Sequence, residues 1–218
     1  MKYLLNSIFI IGMSCFLYAQ ERSDQSRHYV FPDFTEGYML MKDGTKKTGL
    51  INYNALSENF AIKVEDNILG LGKNDRMLVD TVYVANTKFI IKDGKFLELL
   101  LNSDVKLYLE YTCNLSTTTE GRNAYGGSSQ TTSSTPLSSI DMEGNRYAME
   151  LPKRYKIDLV LDYLILKDNT LKSFKSLGQL KKLYKTRKSD IKAYRKSHNV
   201  DFKLPSSVKG LIIYLEGV

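Results

Sequence analysis

Met77–Leu115, MLVDTVYVANTKFIIKDGKFLELLLNSDVKLYLEYTCNL, reads as a run of consecutive antiparallel strands. Val82 and Val84 lead through Asn86 into Phe89–Ile91, and a Lys92-Asp93-Gly94-Lys95 turn reverses the chain into Phe96–Leu101. Asn102-Ser103-Asp104 turns it again into Val105–Cys113. In that last run Val105, Leu107, Leu109, Tyr111 and Cys113 point one way, and Lys106, Tyr108, Glu110 and Thr112 the other. A period of two in β-branched and aromatic residues marks a strand buried on one face. Asp-Gly between two apolar runs signals a hairpin, because a type I′ turn needs positive φ at both central residues.

Hairpins continue on both sides of this stretch. Upstream, Gly37–Lys42 and Thr45–Asn54 flank Asp43-Gly44, and Phe60–Val64 and Ile68–Leu71 flank Glu65-Asp66-Asn67. Downstream, strand character returns at Tyr147–Leu151 and again at Tyr155–Leu166, and Leu171–Phe174 closes the last hairpin. Lys-Asp precedes a turn at 42–43, 92–93 and 167–168. The spacings share no period, so this is one turn chemistry used three times and not a repeat architecture. Asp158 and Asp162 share a face of their strand, but four residues separate them by about 13 Å, too far for joint catalysis or metal binding. They read as a solvated face.

From Ser176 the apolar period changes to that of a helix. Ser176 caps a stripe of Leu177, Leu180, Leu183 and Tyr184, and Ser189 or Asp190 caps a second with Ile191, Tyr194 and His198. Val208, Leu211, Ile212 and Leu215 give a third after Pro205, with Gly217 as its stop, although Leu211–Tyr214 would also suit a strand. Charge divides at the same point. Residues 20–169 hold 18 Lys and Arg against 21 Asp and Glu, whereas 170–218 hold 12 against 3. Lys181, Lys185 and Lys188 are placed on one stripe of the first helix, and Lys192, Arg195 and Lys196 on the outside of the second. With Lys182 these are the candidate partner-binding residues. The plainest reading of the face is a solvated one; the charged partner it suits best is an anionic lipid or polysaccharide surface of the cell envelope.

The N-terminus carries an address. Lys2, the apolar run within Tyr3–Tyr18 and Leu17-Tyr18-Ala19 before Gln20 have the layout of a secretory signal peptide over 1–19. The run is shorter than the roughly 20 residues of a membrane span, so no transmembrane span is expected after cleavage. Export argues against a nucleic-acid partner for the basic helices. Cleavage also removes Cys15, leaving Cys113 as a lone, inward-facing structural thiol. Residues 20–36 read as a flexible lead-in. The 115–140 stretch, with 7 Ser and 6 Thr, reads as a long excursion whose candidate contact residues are Tyr125, Gly126 and Gly127.

Chemistry-bearing motifs are missing from the sequence. His28 and His198 have no metal-ligand spacing, and there is no paired-Cys zinc pattern, HExxH, GxSxG elbow, phosphate loop or dinucleotide fingerprint. No catalytic residue, metal or cofactor is therefore assigned. Asp43-Gly44, Leu50–Asn54, Leu107–Tyr111, Tyr125–Ser129 and the basic stretch Leu177–Leu215, behind a leader ending in Ala-Gln, resemble an uncharacterised family of secreted Gram-negative bacterial proteins. The resemblance implies compartment and architecture and brings no activity.

The expected fold is α+β: a mainly antiparallel β domain over 37–174, barrel or sandwich built of hairpins, with a basic helical cap of two to three helices over 175–218. The expected function is that of an exported, non-catalytic, envelope-associated binding or structural protein. The alternatives are an enzyme acting on an envelope glycan or lipid, and an assembly subunit using the Ser/Thr loop or an edge strand to join another envelope protein.

Overall fold

A computed structural model describes residues 28–117 and 155–218. The leader, the Ser/Thr excursion beyond Thr117, Tyr125, Gly126, Gly127 and the Tyr147–Leu151 strand lie outside the described residues. Ten strands form one sheet: β1 (Thr35–Met41), β2 (Lys46–Asn54), β3 (Asn59–Val64), β4 (Asn67–Gly70), β5 (Val79–Val84), β6 (Thr87–Lys92), β7 (Lys95–Asn102), β8 (Lys106–Thr117), β9 (Tyr155–Lys167) and β10 (Thr170–Phe174). The helices are α1 (Lys73–Leu78), α2 (Leu177–Leu183), α3 (Lys188–Ser197) and α4 (Pro205–Glu216). All strand pairs are antiparallel, in the order β10-β9-β8-β7-β6-β5-β1-β2-β3-β4. This bears out a mainly antiparallel body with C-terminal helices.

Among the described strands, one pair of successive strands, β4 and β5, are not neighbours in the sheet. The chain walks outward from β1 to β4, returns through α1, and lays β5 on the other side of β1. The first strand is thereby the hub of the sheet. Gly37 makes that position possible, since a Cβ there would lie 2.5 Å from the Tyr83 carbonyl oxygen on β5. On the outer surface Tyr38 stacks on Tyr83 at 4.7 Å, with Lys46 over the first ring and Lys88 over the second. This row crosses β2, β1, β5 and β6 and fixes their register.

The sheet curls tightly without closing. β3 and β7 are five strands apart, about 24 Å across a flat sheet. Yet the Phe60 and Phe96 rings are 4.9 Å apart. Tyr53, Phe60, Phe89, Phe96 and Tyr111 meet in the interior from β2, β3, β6, β7 and β8. β4 and β10 end the sheet, each with one neighbouring strand. Two bulges help to bend it. Leu40 opposes Thr81 and Met41 opposes Val79, so Asp80 turns outward while Val79, Val82 and Val84 all reach the core. A second register shift between Leu99 and Leu101 lets both Leu100 and Leu101 touch that core.

The turns show which backbone conformations the sequence selected. Asp93-Gly94 and Asp168-Asn169 have positive φ at both residues, as does Ala85-Asn86. Each joins strands through the expected two-residue connection. The Lys42-Asp43-Gly44 loop differs from its two echoes, because only Gly44 takes positive φ and the Gly44 N–H donates to Met41 O. There the Asp43 carboxylate accepts from the Thr45 N–H at 2.9 Å and hydroxyl at 2.7 Å, which holds its pKa below the usual carboxylate value. The same dipeptide thus serves two turn geometries, decided by which residue can enter the left-handed region.

Several expectations need correction. Residues 28–36, placed in the flexible segment, pack instead: Tyr29 bridges Asn54, and the Asn52 side chain bonds Phe31 N–H and the Phe31 and Asp33 carbonyls. Those bonds come from Asn52 and Asn54, about twenty residues further on, and nothing within 28–36 announces them. The segment at Lys73–Leu78 is a helix, although Met77 and Leu78 look like the start of the strand. β8 continues through Thr117 against Tyr155, so 115–117 belong to the sheet. Its middle is buried on both faces, with Tyr108 and Glu110 as covered as Leu107 and Leu109.

The third C-terminal helix is a helix. Pro205 opens it, and Gly217, at φ 72°, closes it in the left-handed conformation. Val208, Leu211, Ile212 and Leu215 are fully buried and belong to the same cluster as the sheet's interior. Leu180 and Ile191 join it from α2 and α3, and the Tyr163 hydroxyl donates to Phe202 O at 2.8 Å. The cap therefore shares one core with the sheet.

Candidate functional site

The helical cap carries the basic residues that the sequence singles out, in a different arrangement. α2 ends at Leu183, Tyr184 leaves the helical conformation, and Lys185–Arg187 form a 3-10 turn before α3 begins at Lys188. The stripe expected for Lys181, Lys185 and Lys188 on one helix is therefore split among α2, the turn and α3. The break has a physical cause. The Tyr184 ring is buried and its hydroxyl donates to Glu216 on α4 at 2.5 Å; burial and this bond raise its pKa. Lys167 on β9 reaches the same carboxylate at 2.7 Å, so Glu216 ties sheet, α2 and α4 together.

The α3 residues do form a stripe. Lys188, Lys192, Arg195 and Lys196 fall at i, i+4, i+7 and i+8, alongside the narrow line of Ile191, Tyr194 and His198. Neither Ser189 nor Asp190 caps the helix, since the N-cap is Arg187 without a side-chain bond. Asp190 instead holds the Arg187 guanidinium at 2.5 Å, which raises the Arg187 pKa. Arg187 also donates to Leu215 O, so this cation is committed to the fold. Among the described residues, none of Lys181, Lys182, Lys185, Lys188, Lys192, Arg195 and Lys196 forms an ion pair. All are exposed except the half-buried Lys181.

Beside this face lies a groove of about 310 Å³ between the β9–β10 turn and the end of α2. Lys167, Lys172 and Arg187 line it with Thr170, Thr186 and Asp168, over a floor that includes Leu183 and Leu215. Cations outnumber carboxylates on its walls, in keeping with the neighbouring helix face.

Several carboxylates elsewhere are engaged. Asp162 is not part of a solvated face: its side chain is 15% exposed against 57% for Asp158. Asp162 sits opposite Glu110 in the β8–β9 register, and the flanking cations are Lys175 at 2.5 Å from Asp162 and Lys95 at 2.5 Å from Glu110. The Glu110 bond raises the Lys95 pKa. The two outer cations, on β7 and just beyond β10, offset what would be repulsion between the opposed carboxylates of β8 and β9. Alternation along each strand puts Glu110 and Asp162 outside; only the pairing of two distant strands joins them. Inside, Glu98 accepts from the Tyr111 hydroxyl at 2.5 Å, and burial raises both groups' pKa values. Burial also pushes the Cys113 thiol up to about 12, which suppresses its thiolate.

Among the described residues no group of three or more His, Cys, Asp or Glu side chains is placed to hold a metal ion. No family model, curated protein or solved structure matches the chain. Among the described residues no helix is long and apolar enough to cross a membrane.

Proposed function

We propose that this chain is an exported, non-catalytic protein of the cell envelope that attaches to an anionic surface, lipid or polysaccharide, through α2, the 3-10 turn and α3. One observation carries the reading. Seven cations there lack any ion pair among the described residues, whereas Lys95, Lys175 and Arg187 are matched to carboxylates. A solvated helix face needs only enough charge for solubility; a cation-dense stripe raises the local concentration of anions and steers their approach. Near an anionic bilayer each such residue contributes about 1 kcal/mol. The leader-like N-terminus supports the compartment, and the resemblance to secreted Gram-negative proteins agrees with it.

The test is sedimentation with anionic and with neutral vesicles, and with envelope polysaccharide, across salt concentrations. Binding to the anionic partner should fall steeply over tens to hundreds of millimolar salt, as screening shortens the Debye length. Reversal of Lys188, Lys192, Arg195 and Lys196 to Glu should abolish it without changing the fold. Salt-insensitive binding, or none, removes the proposal. A mass that rises with protein concentration in the absence of vesicles would instead favour assembly through the β4 or β10 edge.

A further inference from the structure

The inner wall of the sheet is filled unevenly. Between β5 and β10 the aromatic cluster and α4 pack against it. Between β1 and β4 a cleft of about 250 Å³ remains, walled by Met39, Met41, Ile62, Leu69, Leu71 and Val79. Met39, Met41 and Val79 are buried at its base. Lys47 and Asp75, both exposed, stand where it meets solvent. Val64, an inward-register neighbour of Ile62 on β3, is 48% exposed on the open side.

We infer that this cleft binds the hydrocarbon chain of a single-chain amphiphile with an anionic head group. Its wall side chains other than Lys47 and Asp75 have no hydrogen-bonding group for an ordered solvent network. An enclosed apolar cavity of about 150 Å³ is known to stay dry and take benzene. This one is larger and partly open to solvent, so a bound chain could leave its head in water. Two methionines line it, and unbranched thioethers adapt to a flexible ligand at small cost. Of the two charges at the mouth, Lys47 is the one that can hold an anionic head group, with Asp75 disfavouring its own side; among the described residues neither forms an ion pair.

The wall contributed by α1 suits entry and exit. None of its six residues is buried, and it has no side-chain N-cap. It is tethered by Arg76, which donates to Gly94 O and lies over the Phe96 ring, and by Lys42 N–H donating to Leu78 O at 2.8 Å. Met77 and Leu78, next to Asp75 in the same helix, are 57% and 55% exposed. Little has to break for the helix to move. This site lies on β1–β5 and α1, not on α2 and α3, so it stands or falls independently of the surface-attachment reading.

The experiment is displacement of a fluorescent polyene fatty acid by dodecanoate and by dodecanol, below their aggregation concentrations, on the full mature chain in high salt. Saturable one-to-one uptake is expected. Lys47→Glu should weaken dodecanoate about fivefold, the scale of an exposed charge contact, and leave dodecanol unchanged. Leu69→Trp, which fills the cleft from a half-exposed edge position, should weaken both more than tenfold. In the unmutated chain the Met39 and Met41 ε-methyl resonances should shift on dodecanoate addition, a readout independent of how any variant folds. No saturable uptake, shifts confined to other methyls, or undiminished uptake by folded Leu69→Trp would each overturn the inference.

Discussion

α3 and α4 are neighbours in sequence and in space, yet they are built for opposite surroundings. α3 buries one residue, Ile191, and carries four cations in its basic stripe. α4 buries four residues completely and carries Lys209 alone. What separates them is the width of the apolar stripe. A face repeating at i, i+3, i+4 and i+7 covers enough of a helix to be driven into a core, whereas Ile191, Tyr194 and His198 mark a narrower line flanked by charge. The basic C-terminal region is therefore two things at once: α4 completes the sheet's interior with four buried residues, while α2 and α3 each lend it one, Leu180 and Ile191, and carry their cations on the surface. Net charge alone marks the whole region as one surface element, and it is not.

The contrast is broken most directly by truncating each helix. Leu211→Ala leaves a cavity at a fully buried position and should cost about 3–5 kcal/mol, read as a lower urea midpoint. Lys192→Ala, exposed on α3, should change stability by less than about 0.5 kcal/mol. A Leu211→Ala loss below about 1 kcal/mol would mean that α4 rests on the sheet without completing its core.

Glu98 tests the same boundary from the sheet side. Its pKa is raised, first by burial, against the opposing effects of the Tyr111 hydrogen bond and of Lys209 on α4. A raised carboxyl pKa means that the folded protein holds this proton more tightly than the unfolded chain does. Stability contributed by the group is therefore present in acid, is lost as pH climbs from the unfolded value of about 4.3 through the higher folded one, and stays lost at neutral pH. Glu98→Gln keeps an acceptor for Tyr111 and removes the titration, so the variant should show a flatter stability–pH curve across that window. An unchanged slope in urea melts would show that Glu98 is hydrated and that α4 leaves the sheet accessible.

Much of this architecture is legible along the chain because it is local. Asp93-Gly94 and Asp168-Asn169 specify their hairpins, and Pro205, the i, i+3, i+4, i+7 set and Gly217 specify α4. What is not legible depends on partners far along the sequence. Nothing near β1 announces that it sits between β2 and β5, and the six residues of α1 are too few to display a helical period. The Glu110–Asp162 row exists only through the β8–β9 register. The basic residues are legible as a cluster, but their division at Tyr184 follows from a bond to Glu216, 32 residues away.

The smallest expected effect is also the most discriminating. Gly210 lies in α4 where a Cβ would come 2.9 Å from the Tyr194 hydroxyl of α3. Tyr194 stacks on His198 at 4.1 Å and meets Tyr214 at 5.0 Å, so the contact is the far end of a side chain held by exposed rings. Gly210→Ala should gain about 1 kcal/mol of helix propensity and lose a similar amount by displacing Tyr194, for a net change within about 0.5 kcal/mol. Removing the obstructing oxygen separates the two contributions: in a Tyr194→Phe background, Gly210→Ala should be stabilising by close to the full propensity value. If Gly210→Ala alone costs more than about 2 kcal/mol, α3 is locked onto α4 as firmly as α4 is onto the sheet. Its basic stripe would then be a rigid surface instead of one free to adjust to what it meets.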